Sequence, residues 1–236
     1  MKLGLQSYSL RKMGYEKALE TISKLGINYV EAYPRHLPLN EDINKVRSLH
    51  EKYNLRLIAH GVNHLSKNEK ELNAIFDFVR KAGIEVITAD PDEDSLELVS
   101  DLAKQYDIKI GIHNHGPSHR WGSFKKIYQA IKNLDFRVGM CLDLAHLARY
   151  GENPIEAIET LRERVYDIHL KDVDAKGNDV IVGTGILDIR SFLKKLKELK
   201  LLDETPIMIE YEPNPEDPIN GITRSLDFVR GIISEL

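Results

Sequence analysis

Arg137-Val138-Gly139-Met140-Cys141-Leu142, then Pro154-Ile155-Glu156-Ala157-Ile158-Glu159-Thr160-Leu161-Arg162-Glu163-Arg164, then Val165-Tyr166-Asp167-Ile168-His169-Leu170 read as strand, helix, strand. The outer pieces are short apolar runs of strand length, and the middle one is longer and of helical period. A crossover of that length joins parallel neighbours, because antiparallel strands need only a tight turn. Outward from it the same unit recurs. Strands are predicted at 2–10, 29–33, 56–62, 85–89, 109–113, 137–142, 165–170 and 206–211. Helices are predicted near 15–25, 41–53, 69–82, 95–105, 123–133, 154–164, 190–199 and 219–233. Asp188 and Asn220 suit N-cap positions, and Gly26 and Gly83 fall where a left-handed residue closes a helix.

Eight strand-then-helix units in strict order leave two parallel architectures, an open doubly wound sheet or a closed barrel. No Gly-x-Gly-x-x-Gly follows the first strand, where a dinucleotide fold holds its phosphates. The expected fold is therefore α/β, a (β/α)₈ barrel forming one domain over residues 1–236. Composition agrees with a globular chain: 42% of residues are apolar and 30% charged, enough to bury a large core. A net charge of −4 gives no reason to expect nucleic acid as a partner. Cys141 is the single cysteine, so no intrachain disulfide is expected. Neither a signal-peptide pattern nor an apolar run long enough to span a bilayer is seen, and a cytoplasmic protein without membrane partners is the expectation.

In such barrels the chemistry lies at the C-terminal strand ends. Metal-ligand residue types collect there: His60 on the third strand, His113 and His115 on the fifth, Asp143 and His146 on the sixth, His169 and Lys171 on the seventh, Glu210 and Glu212 on the eighth. Alternation puts His113 with His115, His169 with Lys171, and Glu210 with Glu212 on shared faces. Two imidazoles, His113 and His169, and two carboxylates, Asp143 and Glu210, make a mixed nitrogen–oxygen set. That set suits Mn²⁺, Co²⁺, Zn²⁺ or Fe²⁺ better than Mg²⁺. His50 is expected to be a solvated helix residue.

These residues are also where the chain resembles the xylose isomerase-like barrels, a group with sugar-phosphate isomerases and epimerases, ketose epimerases, inosose dehydratases and an endonuclease branch. The resemblance runs from Gln6-Ser7-Tyr8-Ser9-Leu10-Arg11 through Tyr29-Val30-Glu31, Leu142-Asp143-Leu144-Ala145-His146, Ile168-His169-Leu170-Lys171-Asp172 and Gly183-Thr184-Gly185-Ile186-Leu187-Asp188 to Ile209-Glu210-Tyr211-Glu212. It implies ligands Glu, Asp, His and Glu on strands five to eight. Asp143, His169 and Glu210 match the last three, whereas His113 stands where the family has Glu. In the family's epimerases two Glu residues exchange a proton with the carbon beside a carbonyl. Only Glu210 of that pair remains here.

The resemblance thus implies an isomerase or epimerase that abstracts a proton next to a metal-bound carbonyl of a sugar, phosphorylated or not. Glu210, or an imidazole beside it, is the expected base, with His113, His115, Lys171 or Glu212 on the opposite face returning or accepting a proton. Gln6, Glu31, His60, His146 and Glu212 are the candidate substrate-binding groups. Tyr8, Tyr33 and Trp121 are candidates for an apolar wall, and Gly183-Thr184-Gly185 for either a phosphate-binding turn or a plain tight loop. The loss of one Glu leaves a second outcome open, β-elimination from a keto-inositol or 3-keto-sugar. An endonuclease-like enzyme or a non-catalytic barrel ranks below both, and a homo-oligomer is compatible with the family.

Overall fold

A computed structural model describes residues 1–236. Nine α-helices alternate with the strands: α1 (Tyr15–Lys24), α2 (Ile43–Lys52), α3 (Glu69–Ala82), α4 (Leu96–Tyr106), α5 (Phe124–Ile131), α6 (Leu144–Tyr150), α7 (Pro154–Leu161), α8 (Ile189–Glu198) and α9 (Ile219–Glu235). The first seven strands are β1 (Leu3–Gln6), β2 (Tyr29–Ala32), β3 (Arg56–Leu65), β4 (Val86–Pro91), β5 (Lys109–His113), β6 (Val138–Asp143) and β7 (Val165–Leu170). A short antiparallel hairpin, β8 (Asp172–Val173) with β9 (Asp179–Val180), precedes the last barrel strand, β10 (Ile207–Ile209). The eight long-range strands close in the order β1-β10-β7-β6-β5-β4-β3-β2, all parallel. This is the expected (β/α)₈ barrel in one domain. No helix is long and apolar enough to cross a membrane.

The main core lies between the barrel wall and the helices, where Ile22, Phe76, Val99, Ile127, Leu193 and Val229 meet outward-facing strand residues such as Val30, Ile112 and Ile168. Burying such side chains stabilises by about 1.5–3 kcal/mol each, which is what holds the wall closed. A second, small cluster joins Ile58, Ala59, Val86, Tyr166 and Met208. Several of these sit on strands that are not neighbours, so they touch across the lumen and plug its N-terminal end.

Local differences from the sequence reading have local causes. The first strand stops at Gln6, because the Gln6 side chain accepts the Tyr8 amide and turns Ser7–Leu10 into one helical turn. The third strand runs on to Leu65. The stretch after Asp143 forms α6, a helix additional to the eight predicted ones; Asp143, whose place before Leu144 also suits an N-cap, caps it by accepting the His146 amide at 2.8 Å. Asp188 caps α8 through the Ser191 amide as expected, but Asn220 lies inside α9, whose N-cap is Pro218. Gly83 takes the left-handed φ of 73° that closes α3, and Gly26 has φ 68° just past α1. His50 is a correction. It is buried, with its Nε2 2.8 Å from the Tyr15 hydroxyl, because α2 turns that position toward α1.

Candidate functional site

Strand register brings the predicted residues to one level. Asp143 pairs with His169 across β6–β7, Cys141 with His113 across β5–β6, and Met208 with His169 across β7–β10. Asn114 locks the ends of β5 and β6: its Oδ1 accepts the Asp143 amide at 2.8 Å and its Nδ2 donates to the Asp143 carbonyl at 2.9 Å. Ligand atoms of His113, Asp143, His169 and Glu210 all lie within 4.8 Å of one another.

Their orientations are set by neighbours. The His169 Nε2–H donates to the Glu31 carboxylate at 2.7 Å, which leaves an unshared pair on Nδ1 in the neutral ring. That Nδ1 is 3.1 Å from the His113 Nε2 and 3.4 Å from the Glu210 Oε2. Asp143 Oδ2 is buried without a hydrogen bond, 3.6 Å from the His113 Nε2 and 3.8 Å from the Lys171 Nζ. An orphaned carboxylate oxygen beside two facing imidazole nitrogens is the donor set a divalent transition metal takes. The residues fit such an ion. One asymmetry stands out: His169 is braced by Glu31, while the His113 Nδ1 has no partner.

Lys171 sits beside these donors, 2% exposed, its ammonium paired with Glu212 and within 3.3 Å of Glu210, 3.6 Å of Asp179 and 3.8 Å of Asp143. Burial alone lowers its pKa, but the four carboxylates outweigh burial and hold it well above the ordinary lysine value. In return, burial of Glu210 is overcome by Lys171 and His169, and its carboxyl stays ionised far below the usual range. Burial of Asp143 is likewise overcome, by His146, Lys171 and His113. His115 is pushed down to about 2 by burial and by His113, His119 and His146 around it, so it presents a neutral ring.

A cavity of about 250 Å³ opens above, lined by Gln6, Tyr8, Tyr33, Gly61, Val62, His113, His115, His146, Glu210 and Glu212. A larger depression on the surface, about 530 Å³ between α6–α7 and α8, holds none of the candidate metal ligands or catalytic residues. His146 accepts from Arg149 at Nδ1 (3.2 Å), which leaves its Nε2–H as a donor. Gln6 lines the cavity, but its amide is spent on the Gly61 carbonyl and the Tyr8 amide. Glu31 and His60, expected among the substrate contacts, are fully buried and do not line the cavity, Glu31 inside the barrel and His60 on its outer face beside Phe78 of α3. Glu31 serves His169 and accepts from the Thr88 hydroxyl, and the His60 Nε2 is spent on the Leu37 carbonyl at 2.9 Å. Trp121 is also absent from the wall, because its indole N–H is buried on the Pro91 carbonyl. Tyr8 and Tyr33 do form one, edge to face at 5.0 Å.

The Gly183-Thr184-Gly185 turn holds an anion that belongs to the chain. The Gly183 and Gly185 amides donate to Asp172 Oδ2 at 3.0 and 2.9 Å, and the Leu187 amide to Oδ1 at 3.2 Å. Gly183 needs its φ of 89°, and a Cβ on Gly185 would collide with that carboxylate. The turn is a structural clasp with no room for phosphate.

Sequence reasoning missed Thr88, Asp167 and Arg149. Asp167 shares its strand face with His169, so alternation pointed to it. It lies against Glu31, and burial together with that charge raises its carboxyl well above the usual range.

A family model described as Xylose isomerase-like TIM barrel matches residues 93–232. An uncharacterised protein from Parabacteroides distasonis ATCC 8503 is 29% identical, with 98% of each chain covered and a TM-score of 0.76. The IOLI protein, solved with a zinc atom bound, is 18% identical over 100% of this chain and 99% of its own, at a TM-score of 0.81. A 3-keto-D-glucoside 4-epimerase from E. coli is 16% identical over 98% and 99%, at 0.80. At such identities the last two speak for the fold alone. No curated protein matches the chain.

Proposed function

The chain belongs to the xylose isomerase-like TIM barrel family, and on that footing we propose that it is a divalent-metal-dependent sugar isomerase or epimerase working by proton transfer at the carbon next to a carbonyl. The observation that carries this is the convergence of His113, Asp143, His169 and Glu210 within 4.8 Å beneath an open cavity. When bound there, a divalent cation supplies Lewis acidity toward a substrate oxygen; Zn²⁺, Co²⁺, Mn²⁺ or Fe²⁺ suits two imidazoles better than Mg²⁺ does.

The chain's own groups do the rest. Glu210 faces the cavity and is kept ionised by Lys171 at 3.3 Å, so its carboxylate is the base that takes the carbon-bound proton. Lys171 places a fixed positive charge beside it. Also on the cavity wall, His146 offers its Nε2–H to a substrate oxygen, and the neutral His115 ring hydrogen-bonds a second one. General acid–base help of this kind contributes about 10²–10⁴-fold. Tyr8 and Tyr33, packed edge to face, supply an aromatic corner for the carbon skeleton and shield it from water.

His113 in the place of the second family Glu favours one further outcome. With a single carboxylate base, the carbanion beside a ketone expels a leaving oxygen, as in β-elimination from a keto-inositol or 3-keto-glycoside. Incubation of metal-loaded protein with ketohexoses in D₂O tests the shared first step: deuterium is expected next to the carbonyl, and its absence together with unchanged sugar refutes the reading. An unsaturated product or released aglycone from a 3-keto-glycoside selects the lyase.

A further inference from the structure

We infer that the substrate of this site is a small neutral polyhydroxy carbonyl compound of about monosaccharide size, and that sugar phosphates are excluded from it. The inference rests on the sugar-chemistry reading above and adds the charge and size of what the site accepts.

Size comes first. About 250 Å³ is below the roughly 300–1,000 Å³ of sites that enclose drug-sized ligands, so one sugar ring or open chain fills it.

Charge is the stronger argument. No Lys or Arg lines the cavity, while Glu210 and Glu212 both do. A phosphate needs donors carrying surplus positive charge, and each cation near the mouth is committed elsewhere. Lys171 is matched by Glu212, Glu210, Asp179 and Asp143. Arg149 holds Asp179 at 2.7 Å, the Gly177 carbonyl and His146. Arg120 holds Asp90 at 2.8 Å and Asp92 at 3.3 Å. Arg11 is stacked on the Tyr8 ring, 4.3 Å from its centroid, and donates to the Tyr8 carbonyl. A divalent ion adds no surplus either: counted together, the ion, Lys171 and Arg149 carry four positive charges against the four carboxylates of Asp143, Glu210, Glu212 and Asp179. The backbone amides of the 183–187 turn are filled by Asp172. Among these basic groups only Arg35, two residues past Tyr33 and pointing to solvent, is uncommitted, and it does not line the cavity.

With His113 and Glu210 set aside as metal-ligand candidates, the polar side chains facing the cavity are neutral or acidic: Gln6, two tyrosines, two imidazoles and the Glu212 carboxylate. Hydroxyl groups satisfy such a lining, donating to carboxylate and imidazole and accepting from Nε2–H and phenol. A phosphate dianion would lie near Glu212 with no counter-charge, and uncompensated like charges are what interfaces use to reject the wrong partner.

Calorimetry on the zinc-loaded protein tests this with matched pairs, D-fructose against D-fructose 6-phosphate and D-xylulose against D-xylulose 5-phosphate. The neutral sugar of each pair is expected to bind tighter by about tenfold or more. Glu212→Gln is expected to narrow that ratio, and Arg35→Ala to leave both constants unchanged. Phosphorylated sugars binding as tightly as the free ones, or binding that depends on Arg35, overturns the inference. Deuterium incorporation is read separately. A preference for neutral sugars without exchange supports this inference and refutes the proposed chemistry. Exchange confined to sugar phosphates supports the chemistry and overturns the inference. Failure of every sugar to bind at millimolar concentration overturns both.

Discussion

Glu31→Gln is expected to weaken metal binding by about 10–100-fold while leaving the fold intact. Glu31 is fully buried and touches no substrate surface; its Oε2 accepts the His169 Nε2–H at 2.7 Å, and its other oxygen accepts from Thr88. The carboxylate therefore fixes which nitrogen of His169 carries the proton and raises the basicity of the other. Glutamine has the same size and its amide oxygen still accepts that hydrogen bond, while its NH₂ takes the place of the other oxygen and the Thr88 hydroxyl turns to accept from it, so the main change is the lost charge. A loss of 10–100-fold corresponds to about 1.4–2.8 kcal/mol of binding free energy. The zinc dissociation constant is measured by competition with a chromophoric chelator, and the visible spectrum of the cobalt form reports the geometry. Thr88→Val keeps the charge and drops one supporting hydrogen bond, so its loss should be smaller. A folded Glu31→Gln protein whose zinc constant stays within about twofold of the parent refutes the idea that this contact orients His169.

Direct removal of ligands makes a second prediction: Asp143→Asn and His169→Ala lose stoichiometric metal by elemental analysis, whereas His113→Ala, whose Nδ1 is unbraced, retains more. Retention of metal in all three would falsify the four-residue site. Asp172→Ala strips the acceptor from the Gly183, Gly185 and Leu187 amides and should destabilise the protein by about 2–4 kcal/mol in urea titration; a change under about half a kcal/mol sinks the clasp. His50 gives a pH prediction. Burial depresses it from 6.5 to about 4, so the unfolded chain binds its proton first on acidification. The neutral-His50 contribution is complete above pH 6.5 and is lost as pH falls toward 4, up to about 3 kcal/mol. His50→Phe should flatten that part of the stability–pH profile, and an unchanged slope counts against it.

The amino-acid sequence alone determined the order of strands and helices, since apolar period is a property of a dozen neighbouring residues. It also showed which polar residues sit at strand ends, because alternation within one strand ties His113 to His115 and His169 to Lys171. Its limits lie where the answer depends on distant partners. His50 looks solvated from the polar residues around it in α2, and only the approach of α1 buries it against Tyr15. Glu31 and His60 look like cavity residues from their faces alone. Glu31 lies level with Gln6 but is taken up by His169 across 138 positions of chain, and His60 turns out of the barrel toward Phe78 of α3.

The anion turn shows the same division. Gly183-Thr184-Gly185 is legible as a tight loop from its glycines, but its occupant, the Asp172 carboxylate, is fixed by the hairpin that folds back over it. Tertiary structure alone decided that Asp143, His169, Glu210 and His113 meet within 4.8 Å and that no free cation shares their cavity. The physical reason is range. Backbone periodicity and capping act over a few residues, while convergence and charge balance follow from barrel closure, which brings together side chains that no local pattern relates.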